Sequence, residues 1–459
     1  MLPVYTAMLT PADYGIVGAV SSTCSLLVML TPLGLDTALQ RTNFKLLDPS
    51  ISRERIWGSI VMLVMLVSAC ACGFLSLTHN TTIRWMSGEI PFWPYVAVGL
   101  LGAAFAPIRS LYGLSLQTRE MSSQFFWLDL GCLLARIGGL VLMIVALKMG
   151  ALGMILSGVL VDVGSSLLSL YFFRKHIVWR VEWPIIKDLL PYSLPVIPHA
   201  LAGWATGALA GVALNAMKGT TDAGLYFMAA NLGFIQNSIV AGLGSAFMPR
   251  LYNSLSTPGE EQKSDFVAPR VLLALAGFGL TAMGLAAFSP EVLAIMTRPS
   301  YWPAAQYVGM LALAGWFQGF YAFYGHLLYF EKRGTRFLPL ASGVGAIVSV
   351  GLAFWLIPIV GAWGAVASVL GGVVVRTLCA AAAVNIFFKV YWNQRQALFI
   401  TLLTVAGCLA FSFVKFFLAV TLAGFLSKSC AILVVAALFA MVLGPKPLML
   451  VRPLFSRRR

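Results

Sequence analysis

The chain contains 459 residues, of which 59% are apolar and only 10% are charged, and its mean hydropathy is +0.88. Soluble domains carry about 25% charged residues, so this composition excludes a soluble globular protein. Apolar runs of about 20 residues, each long enough to cross a hydrocarbon core as a helix, recur along the whole length. Because the apolar–polar alternation of a membrane strand is absent, we predict an all-α polytopic membrane protein.

Thirteen apolar segments are long enough to span the membrane. In chain order they cover residues 14–34, 56–78, 91–116, 125–147, 150–173, 189–216, 223–248, 270–293, 302–329, 337–358, 361–388, 397–418 and 421–443. Residues 1–9 precede them as a partial span. The longest connection, between Arg250 and Arg270, has the polar composition of a flexible connector and is too short for a separate domain.

The formal net charge is +15, but the positions of the basic residues argue against nucleic acid as a partner. Of the 31 Lys and Arg residues, 22 lie in every second connection and in the tail, four lie in the alternate connections, and five lie within spans. This asymmetry follows the positive-inside rule, so the basic connections mark the cytoplasmic face. We therefore predict a multi-pass protein of the cytoplasmic (inner) membrane with its C-terminus in the cytoplasm.

An internal repeat organises the spans. The segment "ADYGIVGAV" around Gly15 matches "TDAGLYFMA" around Gly224, and "GLDTALQR", which ends at Arg41, matches "GLGSAFMPR", which ends at Arg250, both with an offset of 209 residues. Two further matches, "SLYGLSLQTRE" with "AFYGHLLYFEK" and "GALG" with "GAWG", have offsets of 212 and 211. Four matches in order at a nearly constant offset indicate a duplication.

The repeat predicts the domain organisation. We expect a six-helix bundle over residues 1–180, a second over 181–395, two extra helices over 396–445 and a basic cytoplasmic tail over 446–459. An even number of spans per repeat predicts a pseudo-two-fold axis along the membrane normal, with a substrate site between the bundles near mid-bilayer. Met1 aligns with Ala210, so the first of about 14 helices is expected to be incomplete. Either about 20 further apolar residues are encoded upstream or the chain is a natural truncation.

Several segments resemble a known family. They are "MLTPADYGIVGAV", "YSLPVIPHALAGW" and "DAGLYFMAANLG", together with a Tyr-x-Glu-Lys motif (Glu331, Lys332), a helix ending in Ile357-Pro358 and the sequence Gly-Ala-x-Gly-Ala from Gly361. These segments are similar to the Wzx-type oligosaccharide flippases of polysaccharide biosynthesis. That family belongs to the exporter superfamily that includes the lipid II flippase and the multidrug and toxin extrusion antiporters.

The resemblance implies that the chain moves a polyprenyl-pyrophosphate-linked oligosaccharide, a precursor of O-antigen, exopolysaccharide or a similar polymer, across the membrane by alternating access. It also implies membrane lipids, a polysaccharide polymerase and chain-length machinery as partners. No cofactor is expected, and coupling to H⁺ or Na⁺ is left open. Many relatives carry an Asp-Arg pair in the seventh helix where this chain has Ala210 and Gly211, so a mechanism that needs that pair does not carry over.

Arg136 and Asp162 lie at bilayer depth on neighbouring antiparallel helices. Each is 13 residues from a turn near Met149, which places both about 20 Å from that face of the membrane. At equal depth they can form an ion pair. We interpret the pair either as a gate or proton-coupled carboxylate, or as a static link between two helices.

Arg376 lies near the middle of the span over residues 361–388, and no acidic residue occurs in the preceding span. An arginine at mid-span costs about 2.5–3.5 kcal/mol on insertion scales unless it meets water or a partner. We expect it to face a wet central cavity and to bind the pyrophosphate of the lipid carrier, because its planar fork suits phosphate oxygens. Arg109 either adds to the same basic surface or snorkels towards the cytoplasm.

Other polar residues within spans are candidates with two interpretations each. Pro195 and Pro198, next to His199, must bend or break their helix, which produces either a flexible gate or a static kink. Asn231 and Gln236 either contact sugar hydroxyls or bond neighbouring helices. Lys415 and Lys428, which lie outside the repeats, are expected to snorkel or to contact lipid head groups. The seven cysteines all fall within spans and indicate neither disulfides nor a metal site.

Two alternatives to a flippase are open. A cation-coupled drug or small-molecule antiporter of the same fold would need carboxylates within its spans, yet five basic residues lie there against fewer acids, among them Asp129 and Asp162. A membrane glycan polymerase or ligase would need catalytic residues on a sizeable outward loop, and the outward connections are short. We therefore favour a transporter of an anionic substrate and predict no enzymatic activity and no catalytic residues.

Overall fold

The structure is a computed structural model, and it describes residues 2–44, 52–81, 88–242, 244, 260–330, 334–387, 394–414 and 420–444. Within these ranges the chain is helical and contains no strand, so the predicted all-α class is confirmed. The chain divides into two compact units, Met1–Gly224 and Leu225–Arg459. The bundle boundary predicted at residue 180 comes from the sequence repeat, whereas this division comes from contacts between residues. The predicted boundary therefore stays a prediction.

Among its described residues, the first unit contains ten α-helices and the start of another. They are α1 (Leu2–Met8), α2 (Pro11–Leu30), α3 (Leu35–Phe44), α4 (Arg53–Leu77), α5 (Ala97–Thr118), α6 (Ser122–Leu140), α7 (Gly150–Phe173), α8 (Trp183–Ser193), α9 (Val196–Gly207), α10 (Leu209–Lys218) and the first residues of α11 (Thr220–Gly233). A π-helical turn, Phe92–Val96, leads into α5, and another, Val141–Ala146, extends α6.

The second unit continues α11 and adds a helical stretch over residues 235–242. The helices that follow are α12 (Glu260–Met296), α13 (Ala305–Phe330), α14 (Phe337–Val360), α15 (Ala362–Phe387), α16 (Gln394–Phe413) and α17 (Leu422–Leu443). Within this unit α14 packs along α15, and α13 lies against both α12 and α15.

Ten helical segments in the described part of the chain are long and apolar enough to cross a membrane, and each coincides with a predicted span. The predicted span over 189–216 is different, because α8 ends within it at Ser193, and the helical pair that follows bends by 47° between α9 and α10. The predicted spans over 302–329 and 223–248 are occupied by α13 and by α11 with residues 235–242. Aromatic and polar side chains lower the hydropathy of α13, although its length suffices.

Local sequence signals set where α2 begins. Thr10 caps the helix, because its hydroxyl accepts from the amide of Asp13 at 3.2 Å, and the Asp13 carboxylate accepts from the amide of Thr10 at 3.0 Å. Pro11 occupies the first helical position, where its missing N–H costs nothing. This reciprocal box fixes the helix start that contacts α11.

The start of α4 is held by the segment that follows α7. Arg55 donates through two nitrogens to the carboxylate of Glu182, at 2.7 and 2.5 Å, and this contact lowers the pKa of the Glu182 carboxyl. Ser59 donates to the carbonyl of Arg180, and its hydroxyl accepts from the amide of Glu182. These bonds hold α8 against the start of α4, next to a core that includes Trp57, Leu111, Phe173 and Ile186.

Two glycines allow α2 and α11 to touch backbone to backbone. A Cβ on Gly15 would overlap the carbonyl oxygen of Thr220, and a Cβ on Gly224 would overlap the carbonyl oxygen of Pro11. Pro11 and Thr220 are separated by the repeat offset of 209, as are Gly15 and Gly224. The contact is therefore reciprocal between positions that the sequence repeat makes equivalent.

We predict that Gly15→Ala destabilises the protein by about 1–3 kcal/mol, because the new methyl group forces two backbones apart. The apparent melting temperature of the purified protein should fall. Gly73→Ala on α4 is the matched control, since its Cβ would meet nothing within 4 Å. Equal melting temperatures for the two variants would contradict the assigned contact.

Candidate functional site

Four charged side chains form two ion pairs across α5, α6 and α7. The Nη1 of Arg109 on α5 lies 2.7 Å from the Oδ1 of Asp129 on α6, and the Nη2 of Arg136 on α6 lies 3.0 Å from the Oδ1 of Asp162 on α7. Asp129 and Arg136 are seven residues apart, which is two helical turns, so they share one face of α6. Asp162 also interacts electrostatically with Arg109. The four charges alternate in sign across three helices.

The ion pair predicted between Arg136 and Asp162 is confirmed by this geometry. Whether it serves as a gate, a coupling site or a static link stays a prediction. The guanidinium of Arg109 is engaged by Asp129, and whether Arg109 adds to a basic surface or snorkels stays a prediction. This second pair could also have been predicted from equal depth in the membrane, because Arg109 and Asp129 each lie ten positions from Arg119, where α5 ends.

The charged face of α6 is only partly covered within the first unit. α6 contributes no buried residue, and the side chain of Arg136 is 49% exposed while that of Asp162 is 28% exposed. Charges in hydrocarbon are costly even when paired, so a pair this open is favourable only where water or a polar ligand reaches it. The network is therefore exposed within this unit rather than part of its packed core.

Arg376, the third predicted site, is buried within the second unit, where its side chain is 6% exposed. Its Nη2 donates to the Oε1 of Gln318, and its guanidinium carbon lies 4.3 Å from the centre of the Tyr321 ring, with both partners on α13. The Nε has no hydrogen-bond partner. No carboxylate pairs with this guanidinium among the described residues, so its charge is held by an amide dipole and an aromatic face.

Close packing of α14 against α15 determines where the Arg376 side chain goes. A Cβ on Gly345 would lie 2.6 Å from the Cβ of Arg376 and 2.7 Å from the carbonyl oxygen of Gly372. Small residues of this kind let two membrane helices approach at backbone distance. With no space towards α14, the arginine extends towards α13. A guanidinium in an open cavity is not what this arrangement shows, and its contact with pyrophosphate stays a prediction.

A third ion pair, between Lys428 and Glu291, was missed by the sequence analysis. The Nζ of Lys428 on α17 lies 2.5 Å from the Oε1 of Glu291 on α12, and the lysine side chain is fully buried. The expectation that Lys428 snorkels is wrong, because the ammonium has a buried carboxylate beside it. The two residues are 137 positions apart, so no local signal connects them. Lys415 lies outside the described residues.

Gln236 bonds to a neighbouring helix, which confirms one of its two interpretations. Its side chain is fully buried, its Nε2 donates to the carbonyl of Phe278 at 3.0 Å, and its Oε1 accepts from the hydroxyl of Thr281 at 2.8 Å. Both amide atoms are used within the second unit, which leaves little for a ligand. Asn231 is exposed on the preceding helix, so contact with sugar hydroxyls stays a prediction for it.

The proline-rich segment breaks its helix, as predicted. α8 ends at Ser193, and α9 begins at Val196 directly after Pro195. Pro195 and Pro198 are exposed, and His199 is partly buried. A second bend of 47° follows at the junction of α9 and α10, so this part of the chain has two joints rather than one. Whether either joint moves stays a prediction.

The comparisons with known proteins agree with this architecture. The family model for polysaccharide biosynthesis proteins matches residues 1–254, more than half of the chain. The chain belongs to this family. No curated protein sequence matches it.

Solved transporters share the fold of this polysaccharide biosynthesis protein. A structure described as the lipid II flippase MurJ in an inward closed conformation has a TM-score of 0.73 at 11% identity, with 99% of this chain and 95% of that chain covered. A MATE transporter in the bent conformation has a TM-score of 0.51 at 13% identity, with 87% and 96% covered. A MOP superfamily transporter from Pyrococcus furiosus, described as having a binding pocket of reverse polarity, has a TM-score of 0.50 at 14% identity, with 85% and 86% covered.

We predict that the Arg136–Asp162 pair contributes about 1 kcal/mol of coupling energy. Arg136→Asp and Asp162→Arg should each lower the melting temperature, because two like charges then face each other, and the double variant should regain most of the loss. Swapping Arg55 and Glu182, an ion pair at the helix ends, is the control and should change stability less.

Glycan export by the stable double variant separates the two interpretations of the pair. Normal export assigns a structural link, and lost export in a stable protein assigns a gate or coupling site. Additive losses in the double variant would contradict the pairing.

Proposed function

We propose that this protein is a flippase that moves a polyprenyl-pyrophosphate-linked oligosaccharide from the cytoplasmic to the outer leaflet by alternating access. Membership of the polysaccharide biosynthesis family supports a glycan substrate. The fold shared with a lipid II flippase supports a carrier lipid, since that protein acts on a lipid-linked substrate by its description. The observation that carries the proposal is Arg376, a buried cation that no carboxylate of the described chain neutralises.

The charge balance within the helices favours an anion. Three basic side chains, those of Arg109, Arg136 and Lys428, each have a carboxylate partner within 3.0 Å. Each of these ion pairs therefore presents almost no net charge to a ligand at a distance. Arg376 is the described intramembrane cation that remains uncompensated, and it supplies one net positive charge where a pyrophosphate can be neutralised.

The local chemistry of Arg376 suits phosphate oxygens. The unpartnered Nε and the adjacent Nη form one edge of the guanidinium fork, which matches two oxygens of a phosphate. A phosphate oxygen can replace the Oε1 of Gln318 as the acceptor, and the exchange is favourable because a charged acceptor bonds more strongly than a neutral amide. The Tyr321 ring holds the guanidinium plane during this exchange. Access requires α13 and α15 to separate locally.

The paired charges on α6 provide a coupling element in this proposal. If Asp162 takes up a proton, its attraction to Arg136 is lost and the guanidinium is released, so the pair can exist in two states. Na⁺ binding to the carboxylate would have the same consequence. The proline joint before α9 and the bend after it supply the points at which a helix can rotate between the states.

The proposed membrane and orientation follow from the uneven distribution of basic residues between the connections. The protein is a multi-pass membrane protein, and we place it in the inner membrane with the basic connections and the C-terminus in the cytoplasm. Polysaccharide polymerase and chain-length machinery would act on its product. The proposal needs no cofactor and assigns no catalytic residue.

A cation-coupled antiporter is the second candidate, since the MATE transporters share the fold. Such a transporter needs a carboxylate within reach of an organic cation. Asp129 and Asp162 are both occupied by arginines, and Glu291 is occupied by Lys428. The candidate therefore requires an ion pair to open before a cation can bind, which makes it the less favoured of the two.

Variants of Arg376 test the proposed function. Arg376→Lys keeps the charge but loses the fork, so export should fall by about tenfold. Arg376→Ala and Arg376→Glu should abolish export, while the amount of inserted protein stays unchanged because removing a buried charge relieves an insertion cost. Lipid-linked oligosaccharide should then accumulate on the cytoplasmic leaflet, as measured by its inaccessibility to an external lectin.

The double variant Glu291→Leu with Lys428→Leu is the matched control. It also removes a buried cation from the second unit, but together with its carboxylate, and such replacements are often neutral or stabilising. Export by this control should be retained. Normal export by a well-inserted Arg376→Ala would contradict the proposed anion site, and so would equal losses in the control and in Arg376→Ala.

A further inference from the structure

A cleft of about 400 Å³ lies within the first unit, between α2, α5 and α9 and beside the start of α3. Its volume is typical of small-molecule sites. The cleft is separate from the Arg109–Asp129 and Arg136–Asp162 pairs, none of whose residues line it. It is bounded on one side by Val196, Ile197 and Ala200, the residues that directly follow the proline break.

An unusual turn borders the cleft. Leu33 and Gly34 follow each other with φ values of 54° and 68°, so both occupy the left-handed region, which is costly for leucine. A Cβ on Gly34 would lie 2.5 Å from the carbonyl oxygen of Ser193, so the turn rests directly on the backbone at the end of α8. This contact joins the border of the cleft to the proline joint, and strain of this kind tends to be retained at functional sites.

The polar lining consists of hydrogen-bonding groups without a cation. Asp36 and Thr37 contribute a carboxylate and a hydroxyl from α3, and Ser110 and Gln117 contribute a hydroxyl and an amide from α5. Of the described residues that line the cleft, none is Lys, Arg or His. A pyrophosphate placed here would meet a carboxylate and, among the described lining residues, no compensating charge, so this cleft does not suit the charged part of the carrier.

A proline adds a backbone acceptor. Pro32 and Pro107 both line the cleft. Pro32 lacks the N–H that would bond the carbonyl of Val28, four residues earlier, and Val28 itself lines the cleft. Carbonyl, carboxylate, hydroxyl and amide groups between aliphatic side chains are what a sugar needs, because a sugar presents hydroxyls at its rim and C–H groups on its faces.

We propose that this cleft binds neutral, hydroxyl-rich sugar residues of the transported glycan and discriminates against acidic sugars. The assignment of the sugar to a transported glycan rests on the proposed flippase function. Asp36 accepts hydrogen bonds from sugar hydroxyls and repels a uronate. The anionic carrier and the neutral glycan are thus recognised at different places. Arg376 in the second unit binds the carrier, and this cleft in the first unit binds the glycan.

Binding of soluble sugars tests the cleft independently of transport. Saturation-transfer NMR on the protein in nanodiscs should detect maltotriose, a neutral trisaccharide, and should detect trigalacturonate at least about tenfold more weakly. Ser110→Trp fills the cleft from an exposed position on α5 and should lower the maltotriose signal by about tenfold. Leu101→Trp, at another exposed position of α5 that does not line the cleft, is the control and should bind as the wild type does.

Asp36→Lys serves as the second variant, since it changes an exposed charge without filling space. It should reverse the preference, so that trigalacturonate binds better than maltotriose. The proposal is overturned by the absence of a maltotriose signal in the wild type, by equal signals for the two sugars, or by an unchanged signal in Ser110→Trp.

Movement of a lipid-linked glycan in proteoliposomes is measured separately, so that the two proposals fail in different ways. Maltotriose binding in the cleft without glycan movement would retain the sugar site and contradict the flippase. Glycan movement at equal rates in the wild type and Ser110→Trp would retain the flippase and contradict the sugar site.

Discussion

Hydrocarbon offers no hydrogen bonds, so every charge that a membrane helix carries must find its partner within the protein, in water or in a ligand. Much of the architecture follows from this constraint. α6 is attached to its neighbours through Asp129 and Arg136, which reach a base on α5 and an acid on α7. α17 is attached to α12 through Lys428. The charges that could have excluded these helices from a bilayer instead determine which helices lie side by side.

The same constraint makes Arg376 exceptional. Its partners in the resting arrangement are an amide and an aromatic ring, neither of which carries a full charge, and its Nε has no hydrogen-bond partner in the described part of the chain. Removing one partner of a buried ion pair is strongly destabilising, so a solitary cation is retained only where something offsets its cost. A dianionic ligand that binds during transport would offset this cost. The close α14–α15 packing keeps the Arg376 side chain directed towards α13, where the ligand would replace Gln318 as the hydrogen-bond acceptor.

Hydropathy was sufficient to predict most of the fold. Ten predicted spans correspond to helices of the expected length, and the proline cluster predicted the break before α9. The bend between α9 and α10 carries no proline or charge signal, and it depends on packing that the local sequence does not encode. Counting residues from the connecting turn, as a measure of depth in the membrane, predicted the Arg136–Asp162 pair because the two helices are consecutive in the chain. It could not find Lys428 and Glu291, whose helices are distant in sequence, nor the neutral partners of Arg376.

The central claim is that the protein moves an anionic carrier lipid rather than an organic cation. The most direct measurement reconstitutes the purified protein in vesicles that contain a fluorescent polyprenyl-pyrophosphate-linked oligosaccharide and follows how much of it becomes accessible to a membrane-impermeant quencher. Ethidium efflux from matched vesicles, with an imposed H⁺ or Na⁺ gradient, is measured in parallel. The account predicts that the lipid-linked glycan equilibrates between leaflets faster than in protein-free vesicles and that ethidium does not move. Ethidium efflux without any movement of the glycan would contradict it.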